Sequence, residues 1–446
     1  MLSYYLRLSL KSFRRNPGIT TLMVVAIGIG IAICVMSLTV YQAMSGNPIF
    51  WKNDRLYSVT IDSWDPNFPF NDRSPQLPPP QLSYKDAMAL YRSDIPERKV
   101  VMNKGLGAFL GGSQNAEPVR TAARLTTADF FAMFDVPFEY GGSWNAKADF
   151  SPEPVMVLSH EFNQKVFGGA NSVGRTVRWS DREFRIIGVL AAWTPLPKYY
   201  DLNNSAFAKT EDLFLPFGWN MALEVPFGGN VAGWIPDQKV DNYQDILGSD
   251  LLWLQMWVEL PTAEQRSRME SLLDTYWAEQ HKGGRFPRAK NNRITNVGDW
   301  LRDNRVVKDD NRVLVALSFA FLAVCLINTV GLLLAKFLNG APISGVRRAL
   351  GASRRQIFSQ HLVEVSLLAA AGAVLGLTFG ALGLWGVRAL YTNAYLTRDG
   401  FAALAQFDLA SVSWAMVLAV VSALAAGLYP AWRVGRLPPA AYLKSQ

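Results

Sequence analysis

The residues best suited to metal binding or catalysis are few, and they do not stand at productive spacings. His160 and Glu161 open like the helix of a zinc protease, but Gln164 occupies the position that must carry the second imidazole on the same helical face. The chain has 3 histidines in all. No G-x-S-x-G sequence, which would present a nucleophilic serine on a sharp turn, occurs. The sequence therefore predicts no catalytic residue and no metal site.

Glycine patterns that hold phosphate groups are also missing. A phosphate-binding loop G-x-x-x-x-G-K-[ST] needs a lysine directly after a glycine, where it neutralises phosphate oxygens, and no Gly-Lys pair occurs in the 446 residues. Gly105, Gly107 and Gly111 resemble a dinucleotide fingerprint, but their spacing is one residue too long, which favours a glycine-rich turn. We therefore predict a non-catalytic chain that binds no cofactor directly.

Four stretches with no charge or almost none are long enough to cross a membrane. The hydrocarbon core of a bilayer requires about 20 apolar residues per helix, and 50% of this chain is apolar. The predicted spans are residues 19–44, 313–338, 362–387 and 412–431. This pattern excludes a wholly soluble protein.

Charge is divided unevenly between the spans and the long segment that separates the first two. Residues 45–312 carry 30 Lys and Arg against 33 Asp and Glu, whereas the rest of the chain carries 14 against 3. The basicity therefore belongs to the membrane part. Nucleic acid is not expected as a partner, because its binding wants a basic stripe on a soluble face.

Basic residues flank the spans on one side of the membrane. They precede the first span and occur in segments 339–361 and 432–446, and none of these three regions holds an acidic residue. The positive-inside rule then places both termini and the 339–361 segment in the cytoplasm, with 45–312 and the 388–411 loop outside. Within residues 1–18, leucines at helical spacing alternate with basic residues, which favours an amphipathic helix at the membrane surface over a simple charged flank.

Residues 45–312 alternate β-rich runs with helix-like segments, as is typical of an α+β domain. The predicted fold class is thus an α-helical membrane protein with four transmembrane helices and a large α+β extracytoplasmic domain inserted between helices 1 and 2. Residues 193–236 predict a long surface loop, whose aromatic side chains either contact a partner or pack back onto their own domain. Residues 300–312 lack Gly and Pro and predict a helical stalk continuous with the second span.

The 339–361 segment predicts a helix-turn-helix at the cytoplasmic surface. Gly351 can end one short helix and Ser353 can cap the next. The element would present a compact basic and apolar face, which favours docking of a cytoplasmic protein; the alternative is a loop that holds anionic lipid headgroups. The predicted docking residues are Arg347, Arg348, Leu350, Gly351, Ser353, Arg354, Arg355, Ile357 and Phe358.

Within the spans, small residues and one pair of opposite charges stand out. Gly372, Gly376 and Gly380 recur every four residues, which lets a facing helix approach closely. Lys336 ends the second span and Glu364 begins the third, so they could pair, with anchoring favoured over a role in translocation. Other ionisable residues are almost absent from the spans, so few side chains could line a hydrophilic path through the bilayer.

Residues 345–357, Gly-Val-Arg-Arg-Ala-Leu-Gly-Ala-Ser-Arg-Arg-Gln-Ile, resemble the coupling segment of FtsX/MacB-type ABC transporter permeases. Residues 125–131, 154–159 and 186–190 are similar to the MacB periplasmic core domain, and 429–433 with 438–444 resemble the family's C-terminal ending. Relatives commonly carry Glu-Ile-Gly where this chain has Ile343, Ser344 and Gly345, so a family carboxylate at the start of the coupling segment is missing here.

The resemblance implies a multi-pass protein of the bacterial inner membrane that works as a dimer with an identical or paralogous permease. Two copies of a cytoplasmic ABC ATPase, which bind ATP and Mg, would drive it; MacB carries its ATPase on the same chain, and we expect a separate one here. The implied function is mechanical transmission for efflux of antibiotics, peptides or toxins through a periplasmic adaptor and a TolC-like duct. Alternatives are a lipoprotein-extracting permease resembling LolC or LolE and an FtsX-like signalling permease that regulates cell-wall hydrolases.

Overall fold

The computed structural model describes residues 2–111, 117–236, 238–307, 309–391 and 409–435. The chain divides into two compact units, Met1–Ser45 with Val307–Gln446, and Gly46–Val306. We call the first the helical unit and the second the insert domain. The predicted 388–411 loop and 432–446 tail lie largely outside the described residues.

The first helices show how sequence sets the helix boundaries at the start of the chain. Helix α1 ends where Pro17 begins α2, since proline is favoured in the first turn of a helix but cannot continue one. The Asn16 carbonyl accepts hydrogen bonds from Thr20 N at 3.2 Å and Thr20 Oγ1 at 2.8 Å. The helices are α1 (Leu2–Arg15), α2 (Pro17–Ser45), α3 (Tyr84–Tyr91), α4 (Asp129–Met133), α5 (His160–Phe167), α6 (Trp219–Ala222), α7 (Tyr243–Gly248), α8 (Ala263–Lys282), α9 (Val297–Asp303), α10 (Asp309–Asn339), α11 (Ala341–Ala349), α12 (Arg354–Tyr391) and α13 (Leu409–Gly435).

Within the described residues, four helical stretches are long and apolar enough to cross a membrane. They are Pro17–Lys52, Asn311–Asn339, Arg354–Gly386 and Val412–Arg433. All begin and end within a few residues of the predicted spans, apart from additional turns on the first and third. Their inward faces pack through clusters that include Ile27, Ile31 and Leu322.

The described residues of the insert domain form one 10-stranded sheet. Its order is β10-β1-β9-β2-β3-β8-β5-β7-β4, and β6 pairs with both β2 and β7. The β3–β8 and β5–β7 pairs are parallel, and the remaining pairs are antiparallel. The strands are β1 (Leu56–Thr60), β2 (Arg98–Leu110), β3 (Val119–Thr126), β4 (Phe138–Gly141), β5 (Val155–Leu158), β6 (Thr176–Trp179), β7 (Arg182–Leu190), β8 (Leu213–Pro216), β9 (Gln255–Glu259) and β10 (Arg293–Asn296).

Aromatic side chains dominate the packing of the insert domain's sheet. Phe130 of α4 and Phe134, which directly follows that helix, pack in one cluster with Trp257 of β9. Helix α8 contributes Met269 and Leu273 to a second cluster. The whole of β5 is buried, which explains its uninterrupted apolar sequence. An α+β domain therefore lies between the first and second membrane-length helices, and the predicted fold class is confirmed.

The predicted helical stalk over residues 300–312 is wrong. Helix α9 ends at Asp303 and α10 begins at Asp309. Between them Arg305 adopts a left-handed conformation with φ of 48°, which breaks a helix. Trp300 and Val306 are both buried in the core of the insert domain. The backbone bends between them so that both apolar side chains reach the core, and the mostly charged sequence of this segment gave no sign of that burial.

The segment 193–236 packs back onto its own domain, which was one of the two alternatives. Tyr199 and Tyr200 are each 1% exposed. Trp234 Nε1 donates a hydrogen bond to the Ser63 carbonyl at 2.8 Å. Its aromatic residues are therefore largely part of the core of the insert domain.

Candidate functional site

Helices α11 and α12 meet in a tight turn that forms the predicted coupling segment. Gly351 has φ of 99°, a conformation that favours glycine. Ser353 Oγ accepts a hydrogen bond from Gln356 N at 3.2 Å, and Gln356 Oε1 accepts one from Ser353 N at 2.8 Å. This reciprocal capping satisfies two backbone groups at the start of α12 and holds the turn in one geometry.

The tip of this turn presents apolar side chains beside arginines. Leu350 is 83% exposed and Val346 is 47% exposed. Arg354 and Arg355 are exposed as well. Leu350 and Val346 thus place apolar surface beside arginines at the tip, and burial of that surface against a partner would be favourable.

Arg347 ties this element to α1. Its guanidinium donates hydrogen bonds to Gln360 Oε1 and to the Tyr4 hydroxyl, the latter at 3.2 Å, and lies over the Tyr4 ring. Arg348 is partly buried. Nothing in the sequence pattern indicated Tyr4 and Gln360 as neighbours of the arginine, because they come from different helices.

Two of the predicted docking residues, Ile357 and Phe358, are not exposed at the tip of the turn. Ile357 is 1% exposed, and Phe358 is half-buried. The prediction that Ile357 fills a partner's groove is wrong for this structure, because the residue faces the inside of the helical unit. The side chains of Ile343 and Ser344 are outside the described set.

Lys336 and Glu364 come together as a buried ion pair. Lys336 Nζ lies 2.7 Å from Glu364 Oε1, and the two residues are 4% and 2% exposed. Ser12 Oγ donates a hydrogen bond to the same carboxylate at 2.6 Å, and the ammonium sits over the Phe13 ring. Removing one partner of such a pair leaves an uncompensated buried charge, so the cluster holds α1, α10 and α12 in register.

The glycine stripe of α12 faces α2. A Cβ built on Gly372 would lie 2.7 Å from Ile27 Cγ2, and one on Gly376 would lie 2.9 Å from the Gly28 carbonyl oxygen. Gly380 is buried. A Cβ built on Gly28 would in turn lie 3.2 Å from the Gly372 carbonyl oxygen. The two helices therefore approach through small residues on both sides.

We expect Gly376→Ala to destabilise the helical unit, because the Gly28 backbone cannot move away from the added methyl group. Overpacking of this kind costs about 1–3 kcal/mol. Gly386→Ala on the same helix is the matched control, since nothing lies within 4 Å of its added Cβ. Thermal unfolding of both variants in detergent measures the difference. Equal melting temperatures for the two variants would show that the contact is not tight.

The insert domain contains a cluster of buried charges that sequence reasoning missed. Arg124 of β3 donates hydrogen bonds to Asp201 and Glu211, and Lys198 donates to Glu211. The Tyr200 hydroxyl donates to Glu211 Oε2 at 3.1 Å. Burial alone would raise the pKa of Glu211, but Arg124 and Lys198 hold it well below its usual range. Burial lowers the pKa of Lys198.

This cluster neutralises charges inside the domain and offers no ligand set. Three of its four charged residues, Lys198, Asp201 and Glu211, come from the 193–236 segment that we predicted to be a surface loop. Their spacing in the sequence does not indicate that they meet in the fold. Across the described residues no group of three or more His, Cys, Asp and Glu side chains could hold a metal ion. The arrangement suits a structural role in seating residues 198–211 against the sheet.

The helical unit and the insert domain together define a multi-pass membrane protein with a large folded insertion after its first span. A family model described as MacB-like periplasmic core domain matches residues 20–274, more than half of the chain, and one described as FtsX-like permease C-terminal matches residues 315–439. The chain belongs to the FtsX/MacB-type ABC transporter permeases, as the resemblance predicted. Members of this family are permease subunits that work with an ABC ATPase.

Among curated relatives, the chain is 24% identical over 432 residues to the pyoverdine export ATP-binding/permease protein PvdT of Pseudomonas aeruginosa, a match that covers 96% of this chain and 56% of the relative. It is 22% identical over 329 residues to the macrolide export ATP-binding/permease protein MacB of Wolinella succinogenes, covering 73% of this chain and 44% of the relative. The chain thus spans about half the length of these relatives.

Two solved structures are similar to the chain at low identity. The periplasmic region of MacB from Actinobacillus actinomycetemcomitans aligns with a TM-score of 0.36 and 15% identity, covering 56% of this chain and 92% of that one. The extracellular domain of the noncanonic ABC-type transporter YknZ from Gram-positive bacteria aligns with a TM-score of 0.33 and 12% identity, covering 54% of this chain and 100% of that one.

Proposed function

We propose that this chain is the membrane subunit of an ATP-driven export complex in the bacterial inner membrane. A separate cytoplasmic ATPase, present in two copies, docks on the turn between α11 and α12. Its cycle of ATP binding and hydrolysis moves the helical unit, and the insert domain delivers the resulting work outside the membrane. A second permease, identical or paralogous, completes the complex.

The observation that carries this proposal is the capped turn with Leu350 at its tip. An apolar residue that is 83% exposed and flanked by arginines suits a groove on a protein partner better than open solvent. Arg347 links the turn to Tyr4 of α1, and Ser12 of α1 contacts the Lys336–Glu364 pair. A displacement of the turn would therefore be felt by α1, α10 and α12 together.

The interior of the helical unit disfavours a hydrophilic route between the spans. Most of the buried side chains in the described spans are apolar, among them Ile31, Leu322 and Ala415, and the α2–α12 contact is closed by glycines. The buried ion pair lies at one end of the spans, where α10 ends and α12 begins. Desolvating a polar substrate along such a path would be costly. Mechanical transmission to the insert domain is therefore the better account.

Efflux is the output we favour. The two curated relatives described above are named as export proteins, one for pyoverdine and one for macrolides, which supports the export of an antibiotic, a peptide or a toxin. In this proposal a periplasmic adaptor and a TolC-like duct complete the route. A LolC/LolE-like lipoprotein extractor and an FtsX-like regulator of cell-wall hydrolases remain the second and third candidates.

Purification of the chain from its native membrane, followed by mass spectrometry, tests the assignment. We expect a protein with a G-x-x-x-x-G-K-[ST] loop to co-purify at a fixed stoichiometry, together with an adaptor. The purified chain alone should show no ATP hydrolysis above a detergent blank. Saturable hydrolysis that persists after all other ATPases are removed would contradict a separate motor, and a co-purifying cell-wall hydrolase would favour the signalling alternative.

A further inference from the structure

A cavity of about 400 Å³ lies in the helical unit between α1, the end of α10 and the start of α12. We call it the basic pocket. Leu8 and Phe337 supply part of its apolar wall. Its charged and titratable lining residues are Lys11, Arg15, Lys336, Arg347, His361 and Glu364. A concave site of this size with a few convergent polar groups is typical of small-ligand binding.

The basic pocket has an excess of positive charge. Glu364 neutralises Lys336 at 2.7 Å, whereas Lys11, Arg15 and Arg347 have no acidic side chain within 4.0 Å in the described part of the chain. The hydrogen bonds of Arg347 go to the neutral groups of Gln360 and Tyr4. Three cations thus share one cavity without an anion of the protein to balance them, which favours an anionic ligand.

His361 provides a second, independent indication of a ligand. The residue is 6% exposed, and both of its ring nitrogens are buried without a hydrogen-bond partner among the described residues. Its Nδ1 lies 3.7 Å from Glu364 Oε2, which is too far for a hydrogen bond. Buried polar groups in native proteins are normally satisfied. An oxygen-rich ligand in the basic pocket would supply the missing partner.

The position of the basic pocket identifies the source of the anion. It lies where α10 ends, α12 begins and α1 precedes the membrane-length α2, which is the depth of lipid headgroups in a spanning bundle. On α1, Leu10 and Tyr4 are 57% and 51% exposed beside exposed basic residues, as in a helix that lies at the membrane surface. We propose that the basic pocket binds the phosphate of an anionic phospholipid headgroup.

Lipid titration of the full chain in an uncharged detergent, followed by native mass spectrometry, tests this site. The probes are phosphatidylglycerol, phosphatidylcholine and the soluble sn-glycerol 3-phosphate. The pocket variant is Lys11→Gln with Arg15→Gln. The matched control is Arg7→Gln with Arg14→Gln, which removes the same charge from exposed positions of α1 that do not line the pocket. Glutamine keeps the helix propensity nearly unchanged.

We expect wild-type protein and the control to bind phosphatidylglycerol at least about tenfold more tightly than phosphatidylcholine. The pocket variant should lose at least about tenfold in phosphatidylglycerol affinity, since each Lys or Arg near an anionic lipid contributes about a factor of five. Arg15→Gln alone should lose an intermediate amount, which keeps the test valid if the double variant does not fold.

Four results would overturn the proposal. If the control lost as much phosphatidylglycerol affinity as the pocket variant, binding would depend on the overall positive charge of α1 and not on the basic pocket. Equal binding of phosphatidylcholine would remove the charge preference. Equal competition by sn-glycerol 3-phosphate would assign the pocket to a free phosphate ester. A pocket variant that keeps phosphatidylglycerol but loses its co-purifying ATPase would assign the cations to a protein partner.

Discussion

Leu350→Asp is expected to abolish association with the ATPase while the chain still folds and inserts into the membrane. In the free chain Leu350 is 83% exposed, so the carboxylate would remain solvated and cost little stability. In the proposed complex it would enter a desolvated contact without a partner, at a cost of several kcal/mol. A loss of about 4 kcal/mol corresponds to about a thousandfold in affinity.

Tandem purification from membranes, with the ATPase-to-permease ratio as the readout, measures this effect. Leu350→Met, which conserves volume and apolar character, should retain the complex. Ile357→Asp makes a sharp contrast, because Ile357 is 1% exposed and its replacement should reduce the yield of folded permease itself. A wild-type ratio for Leu350→Asp would mean that the turn faces lipid or solvent and does not dock the motor.

Arg124→Met is expected to destabilise the insert domain by about 3–5 kcal/mol, the range found when one partner of a buried ion pair is removed. Asp201 and Glu211 are both fully buried, and each accepts a hydrogen bond from Arg124. Without the guanidinium, Lys198 alone would face the two carboxylates. Replacing all four charged members at once by Arg124→Met, Lys198→Met, Asp201→Asn and Glu211→Gln should recover part of the loss, because no unpaired buried charge then remains.

Denaturant unfolding of the full chain, followed by tryptophan fluorescence, gives the change in free energy of unfolding. Arg178→Met on β6 is the matched control, since its ion pair with Asp181 is exposed, with side-chain exposures of 56% and 96%. Exposed pairs contribute about 0–1 kcal/mol. Similar unfolding free energies for Arg124→Met and Arg178→Met would show that the buried cluster does not hold the domain together.

Features with a local physical signature could be predicted from the sequence. The spans follow from charge-free length, and the turn before α12 follows from a glycine and a serine whose backbone preferences are intrinsic. Features made by distant parts of the chain could not be predicted. The contact of Ser12 with Glu364 and the cluster around Arg124 join residues from separate elements. The stalk failed for the same reason, because burial of Trp300 and Val306 overrides a helix-compatible sequence.

Mechanical transmission is tested most directly by the distance between the insert domains of two permeases in the reconstituted complex. The two natural cysteines, Cys34 and Cys325, are buried in membrane-length helices, so a spin label on Glu161→Cys, at an exposed position of α5, reports on the insert domain. We expect the distance measured by double electron–electron resonance to change when ATP is added and to return after hydrolysis. An unchanged distance in a complex that hydrolyses ATP and exports its substrate would contradict transmission through the insert domain.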